Sequence, residues 1–254
     1  MTLVTFHAGL HKTGSGFLQK FVFPRMTGVQ YFNAKSSLPS IVDTIDKRNL
    51  LISGEQLSGK PFSMDYRVSR LLSLGNLCSL FPGSQLLIFL REPSSWLDSL
   101  YRQHLHQGGR ESFVAFSTRY IGDGSLNFYD FLSELHKLPF AATLALDHED
   151  LLQRQNETLD VVRRFVGCRE LSMSSVDKKA VHNVGVRNHA ASFLLTLNRL
   201  TFGRRIGRYW LQRGHLSMLN RTGNDPVPET ELSQVRERFG AEWERAKREL
   251  MTVV

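Results

Sequence analysis

Short apolar runs alternate along this chain with longer amphipathic segments. Leu3-Val4-Thr5-Phe6, Asn49-Leu50-Leu51-Ile52-Ser53, Gln85-Leu86-Leu87-Ile88-Phe89-Leu90 and Ala141-Ala142-Thr143-Leu144-Ala145-Leu146 read as strands. The third is bounded upstream by Pro82-Gly83 and is nearly apolar throughout, as a strand covered on both faces of a parallel sheet is. Helices are expected from Phe17, around Ser37 to Asp46, and over Arg67 to Leu80 with Val68, Leu71, Leu72 and Leu74 on the buried side. More helix is expected over Ser94 to His106, through most of Phe113 to Leu138, and over Glu157 to Val166. Leu232 to Val254 predicts an amphipathic helix that buries Val235, Phe239, Trp243 and Leu250. Strands alternating with helices give an α/β fold, a central parallel sheet flanked by helices. No linker, repeat or low-complexity run appears, so residues 1–254 read as a single domain.

The first strand runs directly into Phe6-His7-Ala8-Gly9-Leu10-His11-Lys12-Thr13-Gly14-Ser15-Gly16-Phe17-Leu18-Gln19. A strand, a Gly-rich turn carrying Lys and hydroxyls, and then a helix start suit a phosphate group. Backbone N–H groups converge in the turn, the helix dipole adds partial positive charge, and Lys12 adds a full one. A nucleoside-triphosphate P-loop ends Gly-Lys-Ser/Thr after four spacers. Here Lys12 comes first and Thr13-Gly14-Ser15-Gly16 follow.

The strand Gln85 to Leu90 ends in Arg91-Glu92-Pro93, and Ser94-Ser95-Trp96-Leu97-Asp98-Ser99-Leu100-Tyr101-Arg102 opens a helix. A planar guanidinium at a strand end can take two phosphate oxygens at once, and Ser99 offers a hydroxyl from the helix. With both stretches in view, the chain resembles the sulfotransferases that use 3′-phosphoadenosine-5′-phosphosulfate (PAPS). The first stretch is similar to their 5′-phosphosulfate loop, and the second to their Arg-x-Pro…Ser-x-Tyr 3′-phosphate motif. The order of the elements is similar over nearly the whole chain; the specific motifs cover these two stretches.

The resemblance implies a P-loop-like fold, PAPS as co-substrate with adenosine 3′,5′-bisphosphate (PAP) as product, and no metal. It implies Lys12 on the leaving bridge oxygen, backbone N–H groups of Gly14, Ser15, Gly16 and Phe17 on the 5′-phosphate, and hydroxyls of Thr13 and Ser15 beside them. Arg91 and Ser99 would hold the 3′-phosphate. Two departures stand out. Gly16 replaces the family's second hydroxyl, and Phe17 fills a slot where many cytosolic members carry an adenine-stacking Trp.

An attacking hydroxyl must lose its proton, so a base is needed. Glu55, in Ile52-Ser53-Gly54-Glu55, lies where carbohydrate sulfotransferases of this resemblance keep a catalytic Glu. A carboxylate stabilising a helix start competes as its role. His7, His104 and His106 are rival bases, and His11 reads as a loop-surface residue. His104 belongs to Ser-Leu-Tyr-Arg-Gln-His, similar to the Ser-x-Tyr-x-His of heparan-type enzymes. Asp147-His148-Glu149-Asp150-Leu151 resembles the family's acidic turn after a late strand. Val181 to Asn188 is similar to a late loop that closes near the donor, which brings in Asn183 and Arg187. The resemblance thus leans to the carbohydrate type and to a small-molecule or glycan acceptor, a hydroxyl or an amine, on a glycan or glycolipid.

Charge fits a polyanionic ligand. The chain carries net +8, with Lys and Arg numbering 32 against 24 Asp and Glu. A donor with several negative groups accounts for this more economically than nucleic acid. From Lys178 to Asn224 there is no Asp or Glu, while cations mix with Tyr209 and Trp210. Three readings stay open for that stretch: a route for an acidic acceptor or the donor, contact with an anionic membrane surface, or a solvated face. Cys78 and Cys168 read as buried thiols of a reducing compartment, and no metal-ligand spacing occurs. Strand one begins almost at once, with neither a secretory pattern nor a spanning run, so a cytoplasmic bacterial enzyme is expected. Two other classes remain beside a sulfotransferase: a P-loop kinase or NTPase, and a non-catalytic binder of anionic polymers.

Overall fold

The computed structural model describes residues 3–34, 49–63, 65–171, 188–200 and 226–252. The chain divides into two compact units. The first takes residues 1–92, 127–182 and 242–254, the second residues 93–126 and 183–241.

The first unit holds a five-stranded, wholly parallel sheet. Its strands are β1 (Val4–His7), β2 (Val29–Asn33), β3 (Asn49–Ser53), β4 (Gln85–Leu90) and β5 (Ala142–Asp147). Their order is β2-β3-β1-β4-β5, with His7 level with Ser53 on one side and Leu87 on the other, and Leu90 level with Asp147. Direction along the sheet therefore reverses about β1, and ligands of open α/β sheets bind at the carboxyl ends of strands beside such a point. The strand expected at Gln85–Leu90 is found at those bounds, and Leu86 to Leu90 are fully buried.

The edge strand β2 has no counterpart among the expected strands. Gln30, Tyr31, Phe32 and Asn33 are only half-buried, so neither a continuous apolar run nor a clean alternation marks it. A two-residue antiparallel ladder, Met26–Thr27 with Glu170–Leu171, lies beside the parallel sheet.

One face of the sheet presents Leu51, Leu87, Phe89, Leu144 and Leu146 to a core shared with Phe17, Leu18, Val22 and Phe23. Those four lie on the helical passage after the first loop, which is α over Ser15–Phe17, π over Leu18–Val22 and 3₁₀ over Phe23–Arg25. Helix α1 (Tyr66–Leu80) corrects an expectation. Val68 and Leu72 are exposed, and the buried stripe is Tyr66, Arg70, Leu74 and Cys78, spaced four apart. Arg70 is fully buried because its guanidinium lies 3.9 Å from the ring centroid of Phe131 and also over Tyr66 and Phe128.

The second unit contains α2 (Pro93–His106), α3 (Phe113–Gly122) and α7 (Asn188–Leu200), among other residues. Buried Asn198 fastens α7 to the end of α2 by donating to the carbonyls of Leu105 (2.7 Å) and Gly109 (2.9 Å). In the first unit α4 (Phe128–Leu135), α5 (His148–Gln153) and α6 (Gln155–Phe165) complete the described helices, and α8 (Glu229–Glu249) contributes to both units. Helix α8 buries Val235, Phe239, Trp243 and Ala246; Leu250 is half-buried just beyond its end. The helix expected around Ser37 to Asp46 lies outside the described residues, and so do Asn183 and Arg187. Among the described residues no helix is long and apolar enough to cross a membrane. Both cysteines are buried free thiols.

Candidate active site

The carboxyl edge of the sheet gathers the chemistry of the first unit. The loop after β1 carries His11 and Lys12, the turn after β3 carries Glu55, β4 is followed at once by Arg91, and β5 runs into His148. Three of these were singled out in the sequence as donor or proton-transfer groups, and parallel strands bring them to one edge although they stand up to 79 residues apart.

Lys12 is the one non-glycine residue with positive φ among the described residues, at 68°. A side chain in that region costs about 1–2 kcal/mol, a cost retained mostly where function needs the geometry. Gly14, at φ 81°, caps the helix start that follows. The loop is held from within. Thr13 Oγ1 donates to the Leu10 carbonyl (2.7 Å), buried Ser15 Oγ points to the same oxygen, and Arg91 donates to the carbonyl of Lys12 (3.4 Å). The two hydroxyls assigned to the 5′-phosphate are thus committed to loop shape in this structure. The ring of Phe17 is buried in the core and its N–H closes onto the Gly14 carbonyl, while Ser15 and Gly16 open the helix. The first N–H groups of a helix have no partner within it. Glycine at position 9 is demanded by packing: a Cβ there would overlap Ser15 Oγ.

Burial lowers the pKa of Lys12 and Arg91 lowers it further, while Glu55 raises it. The three charges therefore feel one another. Glu55 is about a third exposed, on a 3₁₀ turn (Glu55–Ser58) tied to the loop by Ser58 Oγ, which donates to the Gly9 carbonyl (3.1 Å).

His11 differs from expectation. Its side chain is 16% exposed and its Nε2 lies 3.8 Å from Glu55 Oε2, because the turn at Lys12 directs it inward over the Glu55 turn. Burial first, then Lys12, pushes its pKa down to about 4.

His7, a rival base, is corrected. It is fully buried with Nδ1 2.7 Å from Ser53 Oγ, and Gln19 Nε2 donates to that same hydroxyl (2.9 Å). Phe23 and Phe89 meet the ring edge-on. Burial pushes its pKa down to about 3, so it holds β1, β3 and the helical passage together and has no access to an acceptor. The sign of its linkage to stability follows. The unfolded chain takes up a proton near pH 6.5 and the folded chain near 3, so His7 stabilises fully above 6.5 and progressively less below it. His11 and His148 act with the same sign down to about 4. Asp147, raised to about 6 chiefly by burial, opposes them, because protonation between 6 and 3.8 favours its folded form. The melting temperature is expected to fall as pH drops from 6.5 to 4, with a shallower slope in His7→Asn; equal slopes in the two proteins would contradict this role.

His148 lies within the acidic turn that the sequence marks after β5, with no role assigned to it there. That local pattern does not show what surrounds it, because its neighbours Gly14 and Arg91 follow β1 and β4.

Ser99 and His104 lie on α2, in the second unit, with Ser99 half-buried. His104 is packed within that unit. Phe116 sits 5.0 Å away and Tyr101 6.3 Å away, ring to ring, and Nε2 lies 3.9 Å from Glu111 Oε2. Burial lowers its pKa, Glu111 raises it, and Arg119 lowers it. His106, the other rival base, closes the same helix. Among the described residues no group of three or more His, Cys, Asp or Glu could hold a metal ion.

No family model and no curated protein matches the chain. Among solved structures, mouse sulfotransferase SULT7A1 complexed with PAP aligns at 12% identity and TM-score 0.43, over 76% of this chain and 66% of its own. A sulfotransferase from Alicyclobacillus acidocaldarius aligns at 9% identity and TM-score 0.50, over 78% of this chain and 93% of its own. The central parallel sheet of five strands flanked by helices is thus similar in fold to a sulfotransferase.

Proposed function

We propose that the protein is a PAPS-dependent sulfotransferase that moves the sulfuryl group in line onto an acceptor hydroxyl or amine. The observation that carries this reading is the convergence of Lys12, Glu55 and Arg91 at the carboxyl edge of β1, β3 and β4. The likeness in fold to a bacterial sulfotransferase supports it.

Sulfuryl transfer, like phosphoryl transfer, is served mainly by positioning and by charge aimed at oxygens that become negative. Lys12 stands where the loop turns and meets charge growing on the leaving bridge oxygen. The N–H groups of Ser15 and Gly16 hold the 5′-phosphate, and Arg91 the 3′-phosphate. Glu55, facing Lys12, takes the proton of the attacking group as the new bond to sulfur forms. Glu55 and the Ser-x-Tyr-x-His-like helix resemble the carbohydrate type, so a glycan or glycolipid is the preferred acceptor. The acid-free stretch from Lys178 to Asn224 would guide an acidic acceptor.

Thermal unfolding with PAP, compared with ATP and Mg²⁺, tests the donor site. At a hundred times its dissociation constant a ligand of the native state adds about 2.7 kcal/mol, a rise of roughly 5–10 °C for a chain of this size. The rise is expected with PAP and is expected to vanish in Arg91→Ala. A rise with Mg-ATP alone would overturn the proposal in favour of a kinase or NTPase.

A further inference from the structure

His148 opens α5 directly behind β5 and is nine-tenths buried. Its Nδ1 is enclosed and meets no hydrogen-bond partner. The ring lies against the phosphate loop: a Cβ built on Gly14 would come 3.4 Å from its Cδ2 and 3.7 Å from its Nε2. From the end of β4, Arg91 is the charged group that bears on it. Lys12 is the loop's own cation, and Asp147 and Glu149 flank it in the chain. The Asp147 carboxylate is engaged elsewhere, accepting the N–H of Glu149 (2.9 Å).

A buried imidazole beside an arginine stays neutral, and burial first, then Arg91, pushes its pKa down to about 4. A polyanion at the loop inverts that setting. It neutralises Arg91 and adds negative charge near an imidazole with an unused ring nitrogen, so the protonated form gains on the neutral one.

We propose that His148 is a proton-coupled anion-binding residue, whose imidazole takes a proton from solvent as phosphate fills the loop and then stands as a third cation beside Lys12 and Arg91. Imidazole plus a solvent proton gives imidazolium, and no other bond changes. Affinity for the anion should accordingly rise as pH falls. The proposal rests on the sulfotransferase reading only for the identity of the anion, PAP or its donor form.

The test is titration calorimetry near pH 6 in two buffers of different ionisation enthalpy, on the full chain and on His148→Gln. The probes are PAP and, separately, inorganic pyrophosphate. Protonation of the phosphates themselves is common to both proteins and cancels in the difference. The wild type is expected to take up several tenths of a proton more per PAP bound than the variant. The ratio of its affinity to the variant's should widen severalfold between pH 7.5 and 5.5. Equal proton uptake and equal pH slopes would overturn the proposal while leaving the donor site standing. Uptake with pyrophosphate but no binding of PAP would sustain it and sink the donor assignment. Binding of neither anion would overturn both. Should His148→Gln fail to fold, the ¹⁵N shifts of the wild-type imidazole decide the matter. They must move from the neutral to the protonated pattern when PAP is added at pH 6, and a ring that stays neutral ends the proposal.

Discussion

Replacing Lys12 by alanine is expected to slow sulfuryl transfer by about 10²–10³-fold, the loss seen when one preorganised group aimed at developing negative charge is removed. The same variant should keep its fold, since the Lys12 carbonyl, which Arg91 holds, survives the change. A second substitution separates charge from strain. Lys12→Gly loses the same ammonium but suits a φ of 68°, where any Cβ is strained. It should match Lys12→Ala in activity and exceed it in stability by about 1 kcal/mol, roughly 2–4 °C in melting temperature. The wild type would then hold its charge-stabilising lysine in a conformation that costs stability, the usual exchange at functional sites. PAP release from PAPS at saturating acceptor and a thermal melt measure the two effects. Activity in Lys12→Gly within tenfold of wild type would remove Lys12 from the mechanism. A melting temperature below that of Lys12→Ala would remove the strain.

What the sequence revealed of this site depended on whether a residue's neighbours lie close in the chain or across the sheet. Strand β4 was legible to its ends because burial on both faces leaves one continuous apolar run, and Arg91 follows at once. The Gly-rich loop between β1 and the helical passage was legible because its glycines, hydroxyls and lysine are consecutive. Glu55 could be placed as a strand-end residue of β3, at the edge shared with the loop. The β2 edge escaped because half-buried positions tolerate Gln30 and Asn33 as readily as Tyr31 and Phe32. Hydropathy misassigned the buried side of α1 because Arg70 lies in it, and a guanidinium over three aromatic rings has no signature in an apolar count. His11 looked exposed because loops usually are, and only the left-handed turn at Lys12 shows that it faces Glu55. His148 sits in a turn the sequence marks, but its surroundings come from β1, β4 and β5 meeting in the sheet, which the turn's own residues do not report.

Glu55→Gln carries the second large effect and separates the two roles open to this carboxylate. Glutamine keeps the shape of the side chain and loses its capacity to accept a proton. As general base, Glu55 is worth about 10²–10⁴ in turnover. The variant should show that loss in kcat with the KM for PAPS unchanged or lower. A lower value is the expected direction because removing a negative charge facing Lys12 favours a polyanionic donor. The acid limb of the kcat profile should vanish with the carboxylate. The competing role, stabilising the 3₁₀ turn it opens, predicts the opposite division: a lower melting temperature with kcat within a few-fold of wild type. His11 sharpens the distinction. Its Nε2 lies 3.8 Å from the carboxylate, and at pH 7 its burial keeps it neutral. A neutral imidazole can steady Glu55 without capturing it as an ion pair, which leaves the carboxylate basic. Glu55→Gln with full turnover would move the base elsewhere, and His104, whose pKa is lowered by burial on α2, would be the next residue to replace.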